Sequence, residues 1–265
     1  MTEIAPALFL KMLSSYRSAV NWEDYQIYAA EGDRTRRKFY EDLGCVTVVS
    51  EYVWAGEKTV DIAVYELSTD ADVGKVISYW TDKASEYEAR GDSPMVKICA
   101  NIAANGDMLA DWSNMNAKLC FARSGDSFDT DPRIRPMTDS DNAALKFVCD
   151  MSLDDTNPDA VSLARHFSDM EVSDCDKMLG LFVWDELVGF VEYDYIEELD
   201  LAVLENVFVS KTHRGDGVGK ALVKAAMSNH PDKKWAYGVW NRNARSMALA
   251  TSLEFKLEGA TILIK

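Results

Sequence analysis

The sequence predicts an α/β protein divided into two domains, and three observations carry that expectation. At 265 residues the chain exceeds the usual size of a single domain, one large domain being the alternative. Residues 123–135 (RSGDSFDTDPRIR) are polar, rich in Asp, Ser, Gly and Pro and poor in large apolar groups. That composition marks a linker, with domains at 1–125 and 133–265. Beyond it, short apolar runs of strand type alternate with segments at the 3.6-residue period of helices.

In the second half, Ile134 and Met137 open an extended segment. Asp139 or Ser140 caps a helix with Ala144, Leu145, Phe147, Val148 and Met151 on its apolar face. After Asn157-Pro158 a second helix carries Val161, Leu163, Ala164 and Phe167. Strands follow at 179–184 and 187–195, joined by the turn pair Asp185-Glu186, then a strand at 201–209. A helix at 218–229, a strand at 235–240, a helix at 243–253 and a strand at 260–264 complete the chain.

The first half predicts helices at 5–20, 35–43 and 73–90, strands at 46–54 and 59–67, and a helical segment at 107–118.

Composition narrows the function. The net charge of −16 argues against a general nucleic-acid surface, which needs Lys and Arg for the phosphates. Yet residues 211–245 hold eight basic side chains against two acids, a +6 island that suits a small polyanion or simply solvated helix faces. Five widely spaced cysteines and three scattered histidines predict neither a disulfide framework nor a metal centre. No apolar run approaches the ~20 residues of a membrane span, and no signal peptide is evident, so a cytoplasmic protein is expected.

The chemistry concentrates in residues 207–222, VFVSKTHRGDGVGKAL. Gly215, Gly217 and Gly219 lie between a β-branched strand and an amphipathic helix. Glycine lets a ligand approach the main chain, and the helix start offers free N–H groups to a phosphate. Arg214, Lys220 and Lys224 add positive charge. A Rossmann loop would come early in a βαβ unit, and a Walker loop needs Ser or Thr after Gly219-Lys220, where Ala221 stands.

The segment HRGDGVG at 213–219 resembles the pyrophosphate loop of the GNAT superfamily of N-acetyltransferases, Arg/Gln-x-x-Gly-x-Gly/Ala, with Arg214, Gly217 and Gly219 at the defining positions. LENVFV at 204–209 is similar to that family's central strand, and RIRPMTDSD at 133–141 to its opening strand and turn. Residues 243–255 fall in the register of its fourth helix. The resemblance implies a mixed, mostly antiparallel sheet flanked by helices, and acetyl-CoA as co-substrate for an amine acceptor. Composition and charge add the expectation of no metal, no nucleic acid and no membrane, and homo-oligomerisation is left open.

By the same resemblance, the backbone of Arg214, Gly215, Asp216, Gly217, Val218, Gly219 and Lys220 would hold the pyrophosphate. Val207, Phe208 and Val209 would line the pantetheine arm, and Asn243 would contact it. Lys220, Lys224 or Arg245 would meet the 3′-phosphate. Glu205, on the central strand, is the candidate general base or else a structural carboxylate. Strand alternation puts it on the face of Val207 and Val209, with Asn206 opposite. The family's proton-donating tyrosine is replaced by Ala250, and the Gly of its Gly-Phe pair by Glu254. Tyr193, Tyr237, Tyr195 or His213 would then supply the proton, or water would. The alternative is a catalytically weak acyl-CoA-binding or interaction module.

Two further features bear on partners. Asp194, Glu197, Glu198 and Asp200 form an acidic turn that would attract a cationic amine or merely keep the surface soluble. RRKFYEDLG at 36–44 is similar to the missing fourth-helix motif, Tyr40 included. The first half therefore reads as a degenerate GNAT-like domain without a glycine loop, as a donor of strands to the second sheet, or as a chance likeness.

Overall fold

The computed structural model describes residues 1–15, 36–54, 57–66, 71–101, 116–153, 155, 158–175 and 177–264. The chain divides into two compact units. One holds Met1–Phe121 with Val239–Arg242 and Leu257–Lys265; the other holds Ala122–Gly238 with Asn243–Lys256.

The first unit begins with β1 (Thr2–Ile4), α1 (Pro6–Ser15), β2 (Arg36–Asp42), β3 (Cys45–Trp54) and β4 (Glu57–Glu66). α2 (Val73–Glu88) and β5 (Ser93–Asn101) follow. β1 through β4 pair antiparallel in sequence order, and β4 pairs parallel with β5. Phe9 of α1 packs on Phe39, Val46, Val48, Ala63 and Tyr65. α2 buries Val73, Val76, Trp80 and Ala84, and Trp80 Nε1 donates to Thr47 Oγ1 at 3.1 Å. Thr47 alternates with Val46 and Val48 along β3, so α1 and α2 cover opposite faces.

The helix expected at 35–43 is strand β2, and with it falls the likeness of this segment to a fourth helix. Leu43 and Gly44 have φ of 50° and 77° and join β2 to β3. Both signs are those of a two-residue hairpin turn. A glycine after a polar-apolar run signals a helix end and a hairpin turn equally well, and the strand-forming Val46–Val49 stretch decided the matter. The helical expectation at 107–118 lies mostly outside the described residues, but Asn116, Ala117 and Lys118 are in strand β6 (Asn116–Ser124). Of the helix expected at 5–20, residues 16–20 also lie outside them.

In the second unit, β7 (Ile134–Pro136) leads to α3 (Asn142–Asp150), α4 (Pro158–Ser168), β8 (Lys177–Val183), β9 (Glu186–Ile196) and β10 (Leu201–Val209). α5 (Val218–Ser228), β11 (Lys234–Trp240) and α6 (Ala244–Ser252) come next. β7 to β10 pair antiparallel in order, and β11 joins β10 in parallel. Phe190 and Phe208, opposed on β9 and β10, stack at 5.1 Å and pack with Phe167, Leu145 and Val148 of α3 and α4. The next pair, Gly189 and Val209, faces α5, where a Cβ on Gly189 would meet Val218 and Leu222. The sheet is thus covered on both sides.

Several local expectations are corrected. The N-cap of α3 is Asp141, not Asp139 or Ser140; Thr138 caps the 3-10 turn Asp139–Asp141 before it in a capping box with Asp141, whose carboxylate also takes a two-pronged contact from Arg135 at 2.7 and 2.9 Å. Side chains at the other positions leave Phe147 and Met151 exposed, because α3 buries Leu145, Val148 and Cys149 instead. The β8–β9 turn is Trp184-Asp185, φ 51° and 65°, one residue earlier than expected. The last strand, β12 (Lys256–Leu263), starts four residues earlier than expected and pairs antiparallel with β5 of the first unit. Among the described residues, no helix is long and apolar enough to cross a membrane.

Candidate active site

The site begins with the parting of two parallel strands. β10 and β11 pair from Leu201–Lys234 to Leu204–Tyr237, after which β10 runs on for five residues without further pairing to β11. At the same point the β9 register slips: Leu204 opposes Tyr193 and Asn206 opposes Glu192, leaving Glu205 as the extra residue of a bulge. Tyr193 and Glu192 lie on opposite faces of β9, so Leu204 and Asn206 do too. The alternation that placed Glu205 on the face of Val207 and Val209 therefore fails at this residue. Glu205 is half-buried. Beside it, Asn206 Nδ2 donates to the buried Glu192 carboxylate at 2.6 Å.

Past the bulge, Val207, Phe208 and Val209 form one wall of a cavity of about 770 Å³. The glycine loop and the start of α5 form a second wall, and α6 a third through Ser246, Leu249 and Ser252. Ala160 and Leu163 of α4 add apolar contacts that the sequence reading did not anticipate. Among the expected cofactor residues, Val207, Phe208, Val209, Arg214, Gly215, Gly217, Val218, Gly219, Lys220 and Asn243 line the cavity; Asp216 is exposed outside its lining.

The glycines divide by role. Gly215 and Gly217 have φ of 95° and 81°, a left-handed region that side chains disfavour. Gly217 is the N-cap of α5 and contributes no side-chain cap. The first helical bond runs from Ala221 N–H to the Gly217 carbonyl at 3.0 Å, so the amides of Val218, Gly219 and Lys220 precede the helix's own ladder. A Cβ on Gly219 would stand 3.5 Å from Val209 and 3.7 Å from Val207 and Leu249, within the cavity but without clash.

The cations are mostly engaged. Arg214 Nε donates to the Val209 carbonyl at 3.0 Å, and its Nη1 lies 2.5 Å from Asp155. Lys220 donates to the Ser252 carbonyl at 2.9 Å, and Lys224 lies over the Phe128 ring at 5.0 Å. Arg245 lines the cavity with its side chain exposed. His213 also lines it, with Nδ1 held at 2.9 Å from Ser210 Oγ. Asn243 Oδ1 accepts from Ser246 N–H at 3.1 Å, capping α6.

The tyrosines differ. Tyr193 is buried against His230 and Trp235, and its hydroxyl accepts from Asn229 at 2.6 Å. Tyr237 is buried against Phe255 at the last paired position of β11 and hydrogen-bonds Ser246, a cavity residue. Burial pushes the Tyr237 phenol up, with the Ser246 bond opposing, so it remains protonated. Tyr195 donates to Asp200 at 2.6 Å, and Lys233 pairs with the same carboxylate at 2.7 Å, which reduces the acidic turn's open charge. Ala250 is fully buried, and its carbonyl accepts from Phe255. Among the described residues, no cluster of three or more His, Cys, Asp or Glu is arranged to hold a metal.

Comparison with known proteins adds to this geometry. The acetyltransferase (GNAT) family model matches residues 146–255. Streptothricin acetyltransferase of Escherichia coli is 38% identical over 71 residues, 27% of this chain and 37% of that protein. The chain thus matches little more than a third of that curated relative's length. An acetyltransferase from the GNAT family of Colwellia psychrerythraea superposes with a TM-score of 0.54 at 11% identity, covering 100% of this chain and 99% of that one. A tandem GNAT protein from the clavulanic acid biosynthesis pathway gives 0.54 at 11% identity, with 99% and 96% covered. At such identities the two structures bear on the fold alone. Residues 146–255, which hold the parted strands, the glycine loop and α6, are thus the part of the chain that is similar to the acetyltransferase (GNAT) family.

Proposed function

We propose that the second unit is an acyl-CoA-dependent N-acyltransferase, with acetyl-CoA as donor and an amine of a small molecule or peptide as acceptor. The observation that carries this reading is the glycine-built start of α5, uncapped by any side chain, opening into a cavity that follows the stretch of β10 no longer paired with β11. Amides ahead of a helix ladder and the helix dipole suit a pyrophosphate. The open space around Gly215 and Gly217, where an added Cβ would touch nothing within 4 Å, fits a bulky ligand group.

Acyl-CoA supplies the acyl group activated as a thioester. In this reading the exposed edge of Val207–Val209 orients the pantetheine arm, and one of its N–H groups polarises the acyl carbonyl. Glu205, turned out of the regular alternation by the bulge, takes the amine proton directly or through water. The C–N bond then forms as the C–S bond breaks. With Ala250 in the place of a donor, the leaving sulfur receives its proton from a water beside the Ser246 hydroxyl, and Tyr237 acts as a positioning residue behind Ser246. The exposed Glu197 and Glu198 favour a cationic acceptor. The first unit, with a parallel β4–α2–β5 passage but no glycine loop, is proposed to be a GNAT-like unit that does not bind CoA.

Titration with acetyl-CoA by calorimetry, followed by a thiol-release assay over a panel of amines, tests the proposal. The expected result is 1:1 binding and turnover on at least one amine. Binding without turnover on any of them favours a non-catalytic acyl-CoA-binding module, and no binding ends the reading.

A further inference from the structure

The arginine of the loop motif is not turned over to the ligand. Arg214 spends one guanidinium nitrogen on the Val209 carbonyl, at the end of β10. Another lies 2.5 Å from Asp155, a carboxylate only 2% exposed. The contact is an ion pair by distance, its angle falling outside that of an aligned hydrogen bond. Arg214 itself is 20% exposed. A charge this well paired and screened adds little net attraction for a phosphate, since the carboxylate beside it cancels the field.

What the pair does supply is position. Asp155 stands three residues before α4, which contributes Ala160 and Leu163 to the cavity wall. Arg214 opens the loop that contributes Gly215, Gly217 and Gly219 to the facing wall. After a single 3-10 turn at Lys211–His213, residues 214–217 are in neither helix nor strand, and two of them hold left-handed backbone. Such a segment presents its amides in one direction only if something fixes its ends. The α5 end is fixed by the helix; at the β10 end Ser210 N–H donates to the Val188 carbonyl at 2.9 Å, and past it Arg214 ties the loop to the Val209 carbonyl and to Asp155.

We propose that Asp155, outside the recognised motif, is a positioning residue for the phosphate loop: through Arg214 it latches the loop to the segment that leads into α4, so that both walls of the cavity are set together. The proposal rests on the acyl-CoA reading of the cavity for its ligand, but not for its structural part.

The test uses the full chain with Asp155→Asn, Asp155→Glu and the double variant Asp155→Leu/Arg214→Met, which removes both charges and so avoids stranding one of them in the interior. Two measurements are made: acetyl-CoA affinity by calorimetry, and hydrogen exchange of the amides at 214–220. Asp155→Asn should weaken acetyl-CoA binding about tenfold or more and speed exchange in the loop. Asp155→Glu should recover most of the affinity. The double variant should keep its melting temperature near that of the parent while still binding weakly, which a purely fold-stabilising role would not produce. Unchanged or tighter binding in Asp155→Asn would show that the carboxylate merely masks Arg214, and overturns the latch. So does unchanged loop exchange. If the parent protein fails to bind acetyl-CoA, the acyl-CoA reading falls, and loop exchange alone then decides the latch.

Discussion

In the first unit β4 and β5 pair in parallel at seven consecutive positions, from Thr59–Ser93 to Tyr65–Cys99, one residue short of the end of β4. In the second unit β10 and β11 pair at four positions and part with five residues of β10 still to run. The helices between the strands differ in the same sense. α2 is capped by Asp72, whose carboxylate accepts from Lys75 N–H at 3.2 Å. α5 starts at Gly217 with no side chain to cap it. One strand–helix–strand passage closes on itself by satisfying its own amides and carbonyls, while the other leaves them facing a cavity. The proposed ligand site is made of hydrogen bonds that the fold declines to complete, and a bulge at Glu205 with glycines at 215 and 217 is how the sequence withholds them.

That contrast can be broken at several points. The largest effect is expected for Gly219→Val, whose side chain would fill the space between Val207, Val209 and Leu249. Acetyl-CoA affinity should fall about a hundredfold or more with the melting temperature nearly unchanged, as calorimetry and thermal denaturation would show. Gly217→Val is a poorer probe than the motif suggests, because φ is 81° there. It should lose binding and also about 1–2 kcal/mol of stability.

Next comes Asp141→Asn. Arg135 beside Asp141, with the Thr138 amide, holds its carboxyl below the usual carboxylate range. A group depressed in the folded state stabilises above its unfolded pKa of about 3.9, and that stability is lost as pH falls through the lower folded value. The substitution should cost about 1–2 kcal/mol at pH 7, Arg135 being half-exposed, and should flatten the acid limb of a stability–pH profile below about pH 4.

Glu254→Gly should stabilise. Glu254 has φ 62°, and Glu254 N–H to Thr251 and Phe255 N–H to Ala250, at 3.0 and 3.1 Å, complete the helix-ending motif that prefers glycine. A gain of about 0.5–1 kcal/mol in urea denaturation is expected. The smallest effect belongs to Asp72→Ala, which should lower stability slightly and leave acetyl-CoA affinity as it was, because the first unit's helix start is occupied by its own cap.

The legibility of the chain follows the same division. The bounds of β10, α5, β11 and α6 came out within a residue or so, because strong apolar periodicity, three glycines and a capping Asn243 all point one way. Tyr237 was legible as a candidate only by its place on β11; its bond to Ser246 depends on how α6 lies over that strand. Asp155 carried no signal, since its partner is 59 residues away in sequence. RRKFYEDLG misled because a positive-φ Leu-Gly pair serves hairpins as readily as helix ends.

By itself, the sequence determined the strand–glycine loop–helix junction, the alternation around it and the absence of the usual tyrosine at Ala250, all matters of local composition and spacing. Only the tertiary structure decided where β10 parts from β11, which face each residue takes after the bulge, that β12 pairs with β5, and that Arg214 is held by Asp155. Those outcomes depend on register and packing between segments far apart in the chain, where one residue of slip reverses every side chain and no local pattern records the choice.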